Sequence, residues 1–232
     1  MAALYGMMQA RLQARHGARM DLAQWRRLTA TTRFDHFLAR VRETSLGPWL
    51  EGLDPAGDVH HLEEILRGAW RRHVLEIVAW APKVWHPAIL WVITLQDLAP
   101  ALHRREKGGI SAWINQIEGL ETLELPPVGQ DPLAWWLERW QTLWPRHPVA
   151  RTQLIELIRL LQTSLDHFTR LEGSEAAHTA WHSLKESLEL RFRRYAMGPP
   201  ALFVHVLLTA MDLHQLRGEL VRRRLFPAAG QP

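Results

Sequence analysis

An all-α fold is predicted by three features of this 232-residue sequence. Runs in which Val, Ile, Thr and aromatics alternate with polar residues between tight-turn dipeptides are missing, so strands have no signal. Apolar residues recur instead at the three- and four-residue spacing of a helix face. Pro and Gly cut the chain into helix-sized pieces at Gly47-Pro48, Asp54-Pro55, Pro82, Gly108-Gly109, Pro126-Pro127, Asp131-Pro132, Pro145, Pro148, Gly173 and Gly198-Pro199-Pro200.

The elements follow in order. Thr31 or Thr32 is placed to cap a helix starting near Arg33. His60, His61 and Glu64 open a second helix, whose early acidic residues suit the positive end of the helix dipole. Over 85–106, Ala88, Trp91, Val92, Leu95, Leu98, Ala99 and Leu102 form one stripe, and Ile89, Leu90 and Ile93 cover another side. The first half of that helix is therefore expected to be buried nearly all round. Over 200–225, Leu202, Val206, Ala210, Leu213, Leu216 and Leu220 form a similar stripe. Residues 119–132 are the richest in Pro and Gly and read as an internal linker. The end of the chain, 227–232, is expected to fray.

Three blocks suggest that the chain is two tandem divergent repeats of a multi-helix bundle, 1–118 and 133–226, forming a partial funnel or an elongated bundle. FDHFLARV at 34 pairs with LDHFTRLE at 165, and HHLEEILRGAWRRH at 60 with HSLKESLELRFRRY at 182. TLQDL at 94 pairs with TAMDL at 209. The blocks keep their order, as duplicated units do. The competing explanation is that amphipathic helices resemble one another by periodicity alone.

Composition narrows the function classes. Net charge is +4, with 28 basic against 24 acidic residues, which argues against nucleic acid as a partner. The isoelectric point near 10.1 reflects arginine, since Lys83, Lys107 and Lys185 are the only lysines. There is no cysteine, hence no disulfide, thiolate metal site or cysteine nucleophile, which suits a reducing compartment. No secretory leader is evident at the start and no stretch reaches the ~20 apolar residues of a membrane span. Twelve tryptophans against two tyrosines imply wide gaps between helices or a large protein–protein surface.

The blocks, with YGMMQARLQAR from Tyr5, FLARVRETSLGPWL over 37–50 and AMDLHQLRGELVRRRLF from Ala210, resemble the central-stalk-cap subunit of V-type and archaeal-type rotary ATPases. That family ends each repeat with an acidic residue, an aliphatic, an Asn-Leu pair and a basic residue. Asp212, Leu213, Leu216 and Arg217 fit this frame with Gln215 in place of Asn; Asp97 and Leu98 fit, but Pro100 and Ala101 depart from it. The family is usually built from three units and this chain has room for two, so it would be a divergent and shortened member. The resemblance implies a non-catalytic coupling subunit without cofactors, cytoplasmic and peripheral on the inner membrane face. Its implied partners are the central-stalk subunits and the membrane rotor ring.

Other residues carry chemistry of their own. His178, His182 and Glu186 share a helix face, with Glu175 nearby, and are a candidate metal site against the plainer reading of a solvated polar face. His60, His61 and Glu64 read more simply as a helix start. Phosphate-loop and nucleophile-elbow motifs are missing. Arg71-Arg72 and Arg193-Arg194 are expected to clamp Asp97 and Asp212 respectively by charge-assisted hydrogen bonds. Arg217 and Arg222-Arg223-Arg224 are candidates for partner contact, or for complementing the negative end of the last helix. Alternatives to the coupling subunit are a free-standing helical adaptor with Trp-rich binding faces and, less simply, a His/Glu metal-dependent enzyme.

Overall fold

The computed structural model describes residues 2–107, 124–196 and 198–226, and among them it is helical without a strand. The helices are α1 (Ala2–Gly17), α2 (Leu22–Thr29), α3 (Phe34–Arg42), α4 (Val59–Trp80), α5 (His86–Trp91), α6 (Leu95–Lys107), α7 (Pro132–Thr142), α8 (Pro148–Phe168), α9 (Ser174–Arg194) and α10 (Pro199–Leu225), with 3-10 turns at Gly47–Leu50, Lys83–Trp85 and Val92–Thr94.

Local chemistry explains most boundaries. Asp21 and Gln24 close a reciprocal capping box on α2, and the Asp58 and Asp131 carboxylates cap α4 and α7 by accepting from His61 N and Ala134 N. Pro132, Pro148 and the Pro199-Pro200 pair start their helices where an amide would have no partner. After α3, Thr44 Oγ1 donates to Val41 O and accepts from Leu46 N, turning the chain. A Cβ on Gly47 would lie 2.6 Å from the Arg42 carbonyl oxygen, so the glycine of this RETSLGPW stretch is required sterically.

Two expectations change. Arg33, not Thr31 or Thr32, is the N-cap of α3, without a side-chain cap bond. The stretch 85–106 is not one helix but α5, a 3-10 turn and α6. Thr94 Oγ1 donates to Trp91 O at 2.6 Å and accepts Trp136 Nε1 at 2.8 Å, which favours the tighter turn there. Pro100 then sits inside α6, where it has no amide for the Gln96 carbonyl; Arg67 Nη1 donates to that carbonyl instead, at 3.2 Å.

Helix α10 is the spine. Its residues from Pro199 to Val206 are all buried, and it packs against α1, α3, α4, α8 and α9. The apolar core runs without interruption from Met8 to Leu220, drawing side chains from both expected repeats. The paired sequence blocks occupy different parts of their helices. Asp35-His36-Phe37 begins α3, whereas Asp166-His167-Phe168 ends α8; residues 60–73 begin near the start of α4, whereas 182–194 finish α9. Leu66 and Leu188, and Trp70 and Phe192, are all buried because both helices carry a helical-period stripe. Of the linker 119–132, residues 119–123 lie outside the described residues and 124–131 are non-helical; the expected tail 227–232 also lies outside them.

The tryptophans are interior. Trp25, Trp70, Trp80, Trp85, Trp136, Trp140 and Trp144 are buried, Trp49, Trp91, Trp135 and Trp181 are half-buried, and Trp113 lies outside the described residues. Trp91, Trp136 and Trp140 follow one another in ring contact, and Trp140 meets both Trp144 and Phe203 of α10 edge-on. Trp140 Nε1 donates to Ala88 O at 3.0 Å and Trp91 Nε1 to Trp136 O at 3.2 Å, fixing α7 on α5. The tryptophans fill the gaps between helices, and among the described residues none is exposed.

Candidate functional site

The polar interior lies where α1, α4, α9 and α10 meet. Asp212, on α10, is 4% exposed and would be costly as a lone buried charge. Arg19 Nε donates to its Oδ2 at 2.7 Å and Lys185 Nζ, from α9, to its Oδ1 at 2.8 Å. Arg19 Nη1 also donates to Glu189 Oε1 at 2.6 Å, and His16 Nε2 stands 2.8 Å from Glu189 Oε2. Burial alone would raise the Glu189 carboxyl, but the His16 and Arg19 donors outweigh it and hold it at about 2. The pairs therefore form one network that ties the end of α1 to α9 and α10.

Beside this network is a cavity of about 420 Å³, opening between the end of α1, the Ser45–Glu51 segment, α4 and α10. His73 and His205 belong to its wall. Their ring centroids are 6.0 Å apart, and His16 lies 6.4 Å from His205. His205 is 1% exposed, and neither ring nitrogen has a hydrogen-bond partner. Arg15 Nη1 lies 3.4 Å from His73 Nδ1. A guanidinium only donates, so Nδ1 accepts and the buried Nε2 of His73 carries the ring proton, again without a partner. Burial, reinforced by Arg15, pushes His73 down to about 4; burial and His73 push His205 down to about 3. Both rings are neutral at physiological pH.

A larger groove, of about 990 Å³, runs between α8 and α9. It is lined mainly by hydroxyl, alanine and leucine side chains and presents no buried polar atom lacking a partner, so the histidine cavity is the better candidate.

The residues singled out in the sequence are scattered over the fold. Asp97 is held by Arg67, whose Nη1 donates to Oδ1 at 2.6 Å, rather than by Arg71 or Arg72. Asp212 is held by Arg19 and Lys185 rather than by Arg193 or Arg194, all four expected arginines being exposed. Both carboxylates are clamped as expected in kind but by other cations, because the Arg pairs point to the outer side of α4 and the end of α9. Arg72 nevertheless reaches the histidine cavity, which Asp212 also lines. Arg223, expected at a partner surface, is 3% exposed and donates to Thr31 O, Thr29 O and Glu219. Arg224 donates to Pro55 O and Ala56 O, Arg217 to Glu63 at 2.6 Å, and Arg222 to Glu219 at 2.9 Å. Arg217, Arg223 and Arg224 fasten α10 to the rest of the chain, while Arg222 pairs within the helix. His178 Nε2 and His182 Nε2 lie 2.9 Å apart on the exposed face of α9, with Glu186 a turn on. Among the described residues no three His, Asp or Glu side chains are grouped to hold a metal ion. His61 accepts from Asp54 N and its own amide donates to the Asp58 cap, so it organises the start of α4.

Sequence reasoning missed Arg15, Arg19, His73, Lys185, Glu189 and His205. His205 had a signal: it is the only ionisable residue in the buried run PPALFVHVLL. Arg19 had none, since its partners are far along the chain.

Among the described residues no helix is long and apolar enough to cross a membrane. Comparison with protein-family models, curated proteins and solved structures finds no match to this chain.

Proposed function

We propose that the protein is a non-catalytic coupling subunit of a V/A-type rotary ATPase, joining central-stalk subunits to the membrane rotor ring from the cytoplasmic side. One observation supports this reading above others. The segments that carry the resemblance at the two ends of the chain are joined: α1, with Tyr5, packs on α10, and Asp212 of the closing Asp-Leu-x-x-Leu-Arg frame is held by Arg19 just beyond α1. A part that transmits torque must resist shear between its ends, and a buried ion network over a continuous close-packed core supplies that stiffness.

The test is co-purification. The tagged chain, expressed in its own cells and recovered from solubilised membranes, should bring down an ATP-hydrolysing complex containing stalk and ring subunits. Recovery of the chain with no ATP-hydrolysing partner, under conditions that keep rotary complexes intact, would overturn the proposal.

A further inference from the structure

We propose that the outer face of α9 binds a divalent transition-metal ion of tetragonal preference, Cu²⁺ or Ni²⁺, through His178 Nε2 and His182 Nε2, with water in the remaining positions. This inference is independent of the coupling role.

The helix builds the site. Helix α9 runs unbroken from Ser174 to Arg194, so residues four apart stand one turn apart on one face. His178 is exposed and His182 half-buried, so a hydrated ion reaches both rings. Their Nε2 atoms lie 2.9 Å apart, with the ring planes at 75°. In the free protein one ring donates its Nε2–H to the Nε2 of the other, which holds the two nitrogens together. A metal replaces that bond. The donating ring moves its proton to Nδ1, and both rings turn their lone pairs toward an ion beside the pair.

The separation selects the ion. Imidazole–metal bonds are ~2.0–2.1 Å long, so two donors at a right angle stand ~2.9 Å apart and two at the tetrahedral angle ~3.3–3.4 Å. The pair matches the right angle. A structural zinc site would need the nitrogens further apart and two more protein ligands. Among the described residues no third His, Asp or Glu joins the pair to complete one. Two imidazoles with water make an exchangeable site rather than a structural one.

Charge neither makes nor forbids this site. Lys185 is committed to Asp212 at 2.8 Å, and around His182 the charge of Arg26 is opposed by that of Glu186. Burial, then His178 and the nearby cations, lower the pKa of His182. Its ring is therefore neutral at physiological pH, and protons do not compete with a metal there.

The experiment titrates the intact, untagged chain with Cu²⁺ at neutral pH and reads the electron paramagnetic resonance spectrum. An axial signal split by two imidazole nitrogens, saturating at one ion per chain, is expected. His178→Ala and His182→Ala should each reduce the splitting to one nitrogen. Each should also weaken binding at least about tenfold, since losing even a residue that only orients a ligand costs about 10–100-fold. Neither side chain belongs to the core, so unchanged urea midpoints should show that both variants keep the fold. No saturation below about 1 mM Cu²⁺ would overturn the proposal. So would unaltered affinity in both variants, or displacement of the Cu²⁺ by an equal concentration of Zn²⁺.

Discussion

The two Thr-x-x-Asp-Leu stretches, Thr94 to Leu98 and Thr209 to Leu213, solve one problem with different severity. In each, the threonine hydroxyl donates to a carbonyl one turn back, Trp91 O in the first and His205 O in the second. In each, the aspartate receives a basic side chain from elsewhere in the fold, and the leucine is buried. Asp97 lies at the start of α6 with its side chain 17% exposed and one cation, Arg67. Asp212 lies in the middle of α10 with its side chain 6% exposed and two cations, Arg19 and Lys185. Depth sets the number of partners: a carboxylate further from water needs more donors to remain charged.

Asp212→Ala tests that difference most strongly. It leaves Arg19 and Lys185 without their shared anion, and breaking a buried pair costs about 3–5 kcal/mol. Chemical denaturation should show a loss of that order, with the amides at the end of α1 losing exchange protection first. A loss below about 1 kcal/mol would mean that Glu189 alone satisfies Arg19. Asp97→Ala should cost less, about 1–2 kcal/mol, since Arg67 retains the Gln96 carbonyl and nearby water. Equal losses at the two sites would break the comparison.

Acid sharpens it further, because the second site is flanked by buried histidines. Below about 6.5 the unfolded chain takes up protons on these imidazoles, while the folded chain resists until about 4 at His73 and about 3 at His205. Stability should therefore be full above pH about 6.5 and fall as pH drops through this window. Glu189 adds to the loss between its ordinary 4.5 and about 2, where its folded-state carboxylate is finally protonated. Denaturation midpoints measured down the pH scale should fall less steeply in His205→Leu. An unchanged slope would remove His205 from the acid response.

How much of this was legible in the sequence follows from the range of each interaction. The all-α class and α10 were readable from spacing and from proline starts, which are local. That Asp97 and Asp212 need cations was also readable, because charges on apolar helices must be compensated. Which cations serve them was not. Arg67 sits one turn before the expected Arg71 on the same face, so the choice depends on the height along α4 at which the start of α6 packs, and Arg19 reaches Asp212 across nearly the whole chain. The repeat pairing aligned the first turns of α3 and α4 with the last turns of α8 and α9, because a helical stripe has the same period wherever it is cut. The tryptophans had two readings at the sequence level, and only the packing of α7 on α5 and α10 separated them.

The smallest effect is expected at Arg217, the basic end of the same closing frame. Its Nε donates to Glu63 Oε1 at 2.6 Å, but its side chain is 47% exposed. Glu63 is half-buried, its side chain 18% exposed, but water competes for the exposed guanidinium and a long side chain loses rotamer freedom, so the pair contributes about 0–1 kcal/mol. A double-mutant cycle of Arg217→Ala with Glu63→Ala should therefore give a coupling below about 1 kcal/mol. His214, three residues back on α10, offers a second readout. Burial lowers its pKa, and the positive charge of Arg217 lowers it further. Arg217→Ala should raise the His214 pKa only part of the way to 6.5, since the burial remains. A coupling well above about 1 kcal/mol would make Arg217 a structural clamp like Asp212; a small coupling leaves its exposed guanidinium only loosely held at the surface.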